Sequence, residues 1–125
     1  MEKKIIVTSK APAAIGPYSQ AVVGNGTLYV SGQIPIDPAT GVMPEGLEDQ
    51  VRQSMKNVLS LVGEAGGNAS SVVKCGLFIR DMGAFARIND VYKTFFDADA
   101  PARFVVEVSN LPKGAQIEID AIAIL

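Results

Sequence analysis

The last predicted strand of the sequence carries two carboxylates among apolar residues. A period of two places Gln116, Glu118 and Asp120 on one face and the intervening isoleucines on the other. The polar face turns apolar at Ile122, so a carboxylate there is a candidate for partial burial and a raised pKa, as general acid–base chemistry requires. For Glu118 this interpretation and a solvated sheet face are equally supported, whereas for Asp120 we expect the solvated face.

Arg103 is the candidate for binding an anion. It lies in the segment APARF, where another strand is expected to begin. Its planar guanidinium is suited to a carboxylate, which it binds through two parallel hydrogen bonds. An arginine at the start of a strand more often extends to solvent, and spacing alone favours that structural interpretation.

Other polar or reactive residues have a structural interpretation that is stronger when each is taken alone. Tyr18 follows a Gly-Pro pair and is typical of a packing anchor. The Ser31-Gly32 pair ends a strand, where a glycine can let a ligand approach the backbone but usually just makes a turn. Asn89 is expected on a solvated helix surface, and Cys75 is expected to be a buried structural thiol within a strand.

The residue types that are missing restrict the chemistry. The sequence has no histidine and one cysteine, which excludes serine–histidine triads, histidine zinc sites and internal disulfides. No phosphate-binding GK[ST] or GxGxxG motif occurs. Eleven basic and thirteen acidic residues give a net charge of −2, which does not support a nucleic-acid surface. We therefore expect no histidine- or cysteine-based metal site and no nucleic-acid partner.

Length and composition predict one folded domain over residues 1–125. The chain is 48% apolar and 19% charged, which is typical of a globular protein. No apolar run approaches the ~20 residues that a membrane helix needs. The first ten residues lack the apolar core and cleavage site of a signal peptide, so we expect a cytoplasmic protein without a membrane partner.

The elements that must position these residues follow from periodicity and from turn residues, among them Gly24-Asn25-Gly26, whose preference for positive φ predicts a hairpin. Strands are predicted at residues 5–8, 21–23, 27–31, 71–80, 104–108 and 117–124, and helices at 47–62 and 85–95. This βββαβαββ order is an α+β arrangement, and two helices cover only one face of such a sheet. The strand around Cys75 has apolar residues on both faces, so we expect a homo-oligomer that packs through its sheets.

Several stretches, taken together and in order, resemble the RidA/YjgF family nearly from end to end. They are APAAIGPYSQA (11–21), SGQIPIDPATG (31–41), QVRQSMKNV (50–58), PARFVVEV (101–108) and LPKGAQIEIDAIA (111–123). The resemblance implies a chorismate-mutase-like fold, a six-stranded mixed sheet with two helices on one face. It also implies a homotrimeric barrel with its sites in clefts between subunits.

The family resemblance further implies an activity, the hydrolysis of reactive 2-imino acids such as 2-iminopropanoate and 2-iminobutanoate to 2-oxo acids and ammonia, without a cofactor. It assigns carboxylate binding to Arg103 and water positioning to Glu118. The remaining substrate-binding positions are Tyr18, Ser31, Gly32, Asn89 and Val105. Val105 replaces the cysteine usual in the family, whose main contribution to binding is a backbone N–H that valine retains. The connection at 97–100 is shorter than in many relatives.

Two alternative functions are compatible with the same family resemblance. One is a non-enzymatic trimer that binds small carboxylates as a sensor or chaperone-like partner through the same arginine. The other is an RNA-cleaving translation inhibitor, a label attached to some relatives. The acidic pI near 5.0 and the absence of histidine argue against RNA cleavage.

Overall fold

A computed structural model describes residues 2–125 and contains one six-stranded sheet with two α-helices. The strands are β1 (Lys3–Ile6), β2 (Ala21–Gly24), β3 (Thr27–Gln33), β4 (Val72–Ile79), β5 (Ala102–Glu107) and β6 (Ile117–Ile124), and the helices are α1 (Leu47–Glu64) and α2 (Phe85–Tyr92). The strand order in the sheet is β1-β2-β3-β6-β4-β5. Only the β4–β5 pair is parallel, so the sheet is mixed and the predicted βββαβαββ order is confirmed.

Several predicted boundaries differ from the structure. The first strand begins at Lys3 and ends at Ile6, two residues earlier than predicted, because the next residues turn to bond with Gln20. The second helix gives way to a single 3-10 turn after Tyr92. β5 starts two residues early, which places Arg103 inside a strand rather than at its start.

The turn between β2 and β3 has the geometry that its sequence predicts. Asn25 and Gly26 both have positive φ, at 51° and 72°, between the paired residues Gly24 and Thr27. Such two-residue loops match the right-handed twist of the strands they join. The hairpin pairs β3 with β2 on one side, and on its other side β3 pairs with β6, where the candidate carboxylates lie.

Both helices pack on the same side of the sheet and form the core with it. The apolar face of α1 packs against every second residue of the central strands. Fully buried residues come from both sides of this contact: Val51, Met55, Val58 and Val62 on α1, and Leu77, Ile117 and Ile119 on the strands. The Arg87 guanidinium on α2 donates two 2.9 Å hydrogen bonds to Glu48 on α1, which hold the pKa of that carboxyl at about 2.

Among residues 2–125, no helix is both long and apolar enough to cross a membrane.

The opposite face of the sheet, called here the open face, carries exposed apolar side chains. Strand register places the following residues on it: Ile5, Tyr29, Phe104, Val106 and Ile124. Each is at least 37% exposed in the single chain. A sheet face with this composition is typical of a protein interface.

Candidate functional site

A cavity of about 910 Å³ lies beside the ends of β3 and β6. Its walls come from segments 8–20, 31–41 and 112–113, and Glu118 lies in its lining. Four residues predicted for the site line it: Tyr18, Ser31, Gly32 and Glu118. We call these four residues the glutamate group.

Glu118 is held against the backbone of the neighbouring strand. A Cβ atom added to Gly32 would lie only 2.6 Å from Glu118 Oε2, so the glycine makes room for this carboxylate. The side chain is half-buried, and burial raises the pKa of Glu118. The negative charge of Asp120 raises it further. The carboxyl is therefore shifted toward the range in which a glutamate can accept and return a proton near neutral pH.

The close approach of Gly32 and Glu118 depends on an irregularity in β3. Val30 pairs with Ala121 and Gln33 pairs with Ile119, so β3 has one more residue than β6 between these two pairs. An extra residue of this kind forms a β-bulge, which bends a strand and redirects its side chains. Ser31 and Gly32 occupy the bulge, and this brings both residues to the cavity.

Asp120 is less solvated than the sequence suggested. It is half-buried and accepts a 2.9 Å hydrogen bond from the backbone N–H of Gly76. Any side chain at Gly76 would collide with Asp120 and with the ring of Phe104. Burial raises the pKa of Asp120, while the Gly76 N–H and the charge of Lys74 act in the opposite direction. The expectation of a freely solvated carboxylate was wrong, because Asp120 is partly buried and bonded to the backbone of β4.

The Tyr18 wall of the cavity is tied to β3 by Ser31. The Ser31 hydroxyl donates to the Ser19 carbonyl oxygen at 2.6 Å, and the Ser31 N–H donates to the Gln20 carbonyl oxygen at 3.0 Å. The hydroxyl proton of Ser31 is thus used in the hydrogen bond to the Ser19 carbonyl oxygen. Tyr18 remains 52% exposed, with its ring at the edge of the cavity.

Two buried amides, which the sequence did not single out, hold the cavity walls in place. Gln20 accepts from the Thr8 N–H at 2.9 Å and donates to the carbonyl oxygens of Thr8 and Pro12 at 3.0 and 2.8 Å. Asn57 on α1 donates to the carbonyl oxygens of Ile34 and Ile36 at 3.2 and 2.9 Å. Their only sequence signal is that both belong to stretches shared with the family.

Arg103 belongs to a second group of residues at the edge of the sheet. Its Nη1 donates to Asn89 Oδ1 on α2 at 2.7 Å. Its guanidinium carbon lies 5.0 Å from the centre of the Tyr92 ring and 5.5 Å from that of Phe85, within the range of cation–π attraction. A cavity of about 320 Å³ opens beside it, bounded partly by Ala100 from the short connection.

Val105 follows on the same side of β5. The Val108 N–H donates to the Ile79 carbonyl oxygen at 2.8 Å, which fixes the alternation of backbone groups along the strand. The N–H of Val105 therefore points away from β4, toward the open edge of the sheet. Its side chain packs against the core. We call Asn89, Arg103 and Val105 the arginine group.

The glutamate and arginine groups are well separated within one chain. Strand β4 lies between β5 and β6, so these two strands are about 10 Å apart. Arg103 is aligned with Cys75 and Glu118 with Phe78, two β4 residues that face opposite sides of the sheet. One chain therefore does not bring the predicted catalytic residues together.

Cys75 offers little chemistry at this site. It is fully buried, as predicted, on β4 beside Arg103 of β5, and burial raises the pKa of its thiol. A thiol in such surroundings is a poor nucleophile. Among residues 2–125, no three histidine, cysteine, aspartate or glutamate side chains form a group that could hold a metal ion.

A comparison with known protein families assigns the chain to one of them. A family model described as endoribonuclease L-PSP matches residues 8–125. The chain belongs to this family, which is the RidA/YjgF family.

A named relative and two solved structures are similar to this chain over nearly its whole length. A rat protein named 2-iminobutanoate/2-iminopropanoate deaminase is 46% identical over 98% of this chain and 90% of its own. The crystal structure of Escherichia coli TdcF with bound serine superposes with a TM-score of 0.95 at 46% identity, covering 98% of both chains. The YjgF gene product of E. coli gives a TM-score of 0.94 at 46% identity, covering 97% of this chain and 98% of its own.

Proposed function

We propose that this protein hydrolyses reactive 2-imino acids, such as 2-iminopropanoate and 2-iminobutanoate, to 2-oxo acids and ammonia in the cytoplasm. The observation that carries the proposal is Glu118, a half-buried carboxyl with a raised pKa that lines a cavity large enough for such substrates. The near full-length similarity to a protein named for this activity supports it.

In the proposed mechanism, Arg103 binds the carboxylate of the substrate. One of its five N–H donors is used by Asn89, which leaves donors for two parallel hydrogen bonds to a planar carboxylate. The N–H of Val105 at the sheet edge is a further donor. Fixing the carboxylate in this way orients the imine carbon, and orientation alone supplies much of the rate in such reactions.

Glu118 acts on the water. An imine carbon is electrophilic, and more so when its nitrogen is protonated, so the step needs only a positioned water and a base. Glu118 accepts a proton as the water oxygen bonds to the carbon, and it returns that proton to the nitrogen. As the C–N bond breaks, Glu118 takes up the remaining hydroxyl proton and releases it to solvent, which leaves the 2-oxo acid and ammonia. A carboxyl with a raised pKa suits both halves of this transfer.

The separation of the two groups supports a site shared between subunits. Arg103 and Glu118 lie on opposite sides of the sheet, and the open face carries exposed apolar residues that a second copy could cover. We therefore propose a homotrimer in which one subunit supplies the glutamate group and its neighbour supplies the arginine group.

Mixing two inactive variants tests the shared site. Arg103→Ala and Glu118→Gln are each purified, and the two are also co-expressed in equal amounts. With shared sites, half of the subunits carry an intact Arg103 and half an intact Glu118, so about one quarter of the parent activity should return. No recovery in mixed oligomers, or a monomer by light scattering, would contradict the shared arrangement.

The activity itself is tested with imine generated in place. A pyridoxal-phosphate dehydratase supplies 2-iminobutanoate, and the appearance of 2-oxobutanoate is timed. The parent protein should accelerate it saturably, Arg103→Ala should not, and Arg52→Ala, which changes an exposed arginine outside the site, should match the parent. Binding of 2-oxobutanoate without acceleration would instead identify a carboxylate-binding protein, and cleavage of RNA without acceleration would identify a ribonuclease.

A further inference from the structure

One side of α2 contacts the arginine that the proposed function uses. Phe85, Asn89 and Tyr92 are spaced by four and three residues, so they lie along one stripe of the helix. All three contact the guanidinium of Arg103, Asn89 by a hydrogen bond of 2.7 Å and the two rings at 5.5 and 5.0 Å. We call these three residues the α2 stripe.

We propose that the α2 stripe positions Arg103 for carboxylate binding and that Phe85 and Tyr92, like Asn89, determine the affinity for the substrate. The inference rests on the proposed function of Arg103. It gives Asn89 a contact to the arginine in place of the expected contact to the substrate. It also gives a role to two aromatic residues, Phe85 and Tyr92, whose helical spacing is equally typical of core packing.

The chemistry of the three side chains suits this role. The amide oxygen of Asn89 accepts a hydrogen bond but carries no charge, so Arg103 keeps its full positive charge for an anion. The Tyr92 ring is buried and Phe85 is 36% exposed, so the rings restrict the guanidinium and keep water from part of it. A charge that is partly shielded from water binds its partner more strongly.

Arg103 lies on a short strand at the edge of the sheet, and its long side chain is held by the contacts from α2. β5 has only six residues and pairs with a single neighbour, β4. Arginine has a long side chain that loses considerable freedom when it is fixed. Contacts already made in the free protein reduce this loss at the moment of binding, which improves affinity without any new contact to the ligand.

Two disruptive variants, one conservative variant and one control test the proposal, with KM for 2-iminobutanoate, kcat and the Kd of 2-oxobutanoate as readouts. Asn89→Ala should raise KM and Kd about tenfold, because it removes a hydrogen bond to a charged group. Phe85→Leu should raise both about threefold, because it removes a cation–π contact, and Phe85→Tyr should recover most of this loss. In each variant kcat should change less than KM. Ile88→Val loosens α2 from its core side and should not raise KM.

A double-mutant cycle separates positioning from general damage to the helix. If the stripe acts through Arg103, Asn89→Ala and Phe85→Leu should have little further effect on the Kd of 2-oxobutanoate in an Arg103→Lys background. An undiminished effect there, or parent-like KM and Kd in both single variants of an active protein, would overturn the positioning role alone. A parent chain that neither hydrolyses the imine nor binds 2-oxobutanoate would overturn the proposed function, and this inference with it.

Discussion

The glutamate group and the arginine group are held in place by different means. Glu118 lies against the backbone of Gly32 at a strand bulge, and buried amides fold the loops around it. Arg103 is held by side chains, through one hydrogen bond and two aromatic rings of α2. A backbone contact fixes a group rigidly, whereas a stack of side chains orients a long, flexible one. This difference fits a division of labour between chemistry and substrate binding.

Replacing the proposed catalytic carboxyl, Glu118, should give the largest effect and separate the two proposed roles. In Glu118→Gln the shape is kept but the basic oxygen is lost, so kcat should fall by about 100-fold or more. The Kd of 2-oxobutanoate should hardly change, because the arginine group is untouched. Measuring both quantities on one preparation decides the matter. A parallel loss of kcat and affinity would mean that Glu118 maintains the geometry of the site instead.

A change at Arg103 should show the opposite pattern. Arg103→Lys keeps the charge but cannot reproduce two parallel hydrogen bonds to a carboxylate. Losing one charge-assisted bond should lower kcat/KM by about 10- to 100-fold, mostly through KM. Steady-state kinetics and calorimetry with 2-oxobutanoate measure the two parts. Parent-like values in a correctly assembled variant would remove Arg103 from the site.

Local patterns predicted most of the fold because they reflect local physics. The alternation along residues 117–124 correctly separated the buried isoleucines from Glu118 and Asp120. The positive-φ preference of Asn25-Gly26 predicted the hairpin turn. The first strand was misplaced by two residues because its ends are set by pairing with β2 and by Gln20, which no local pattern contains.

The site was harder to predict because its contacts join distant segments. The sequence supplied the residue types, and the family resemblance supplied their roles. Neither indicated that Phe85 and Tyr92 face Arg103, since an apolar stripe on a helix looks the same whether it covers a core or an arginine. The bulge that brings Ser31 and Gly32 to the cavity depends on the register with β6 and is likewise invisible in the sequence.

A methyl group at Gly32 should affect the glutamate group selectively. The added Cβ would displace the Glu118 carboxylate, which can swing away without unfolding the strand. A displacement of about 1 Å can cost up to ~100-fold in rate, and for Gly32→Ala we expect a loss of about tenfold in kcat with little change in the melting temperature. Gly63→Ala on α1, where a Cβ meets no atom within 4 Å, is the matched control and should keep full activity. Unchanged kcat in Gly32→Ala would show that the contact does not position Glu118.

The smallest expected effect concerns the proton affinity of Glu118. Asp120 raises the pKa of Glu118 through its negative charge, so Asp120→Asn should lower that pKa and move the acid limb of kcat/KM to lower pH. The amide oxygen can still accept the hydrogen bond from Gly76. Glu64→Gln, which removes an equal charge at an exposed position on α1, should leave the limb unchanged.

Stability gives an independent check of the same interaction. A carboxyl whose pKa is higher in the folded state binds more protons there than in the unfolded chain. Such a group makes stability fall as pH rises from its unfolded pKa, near 4.3 for glutamate, to its raised folded value. In Asp120→Asn this fall should be smaller, because residue 120 no longer ionises and no negative charge there raises the pKa of Glu118. Denaturant unfolding at several pH values measures it. If neither the acid limb nor this pH dependence changes, the charge of Asp120 does not act on Glu118, and burial alone sets its proton affinity.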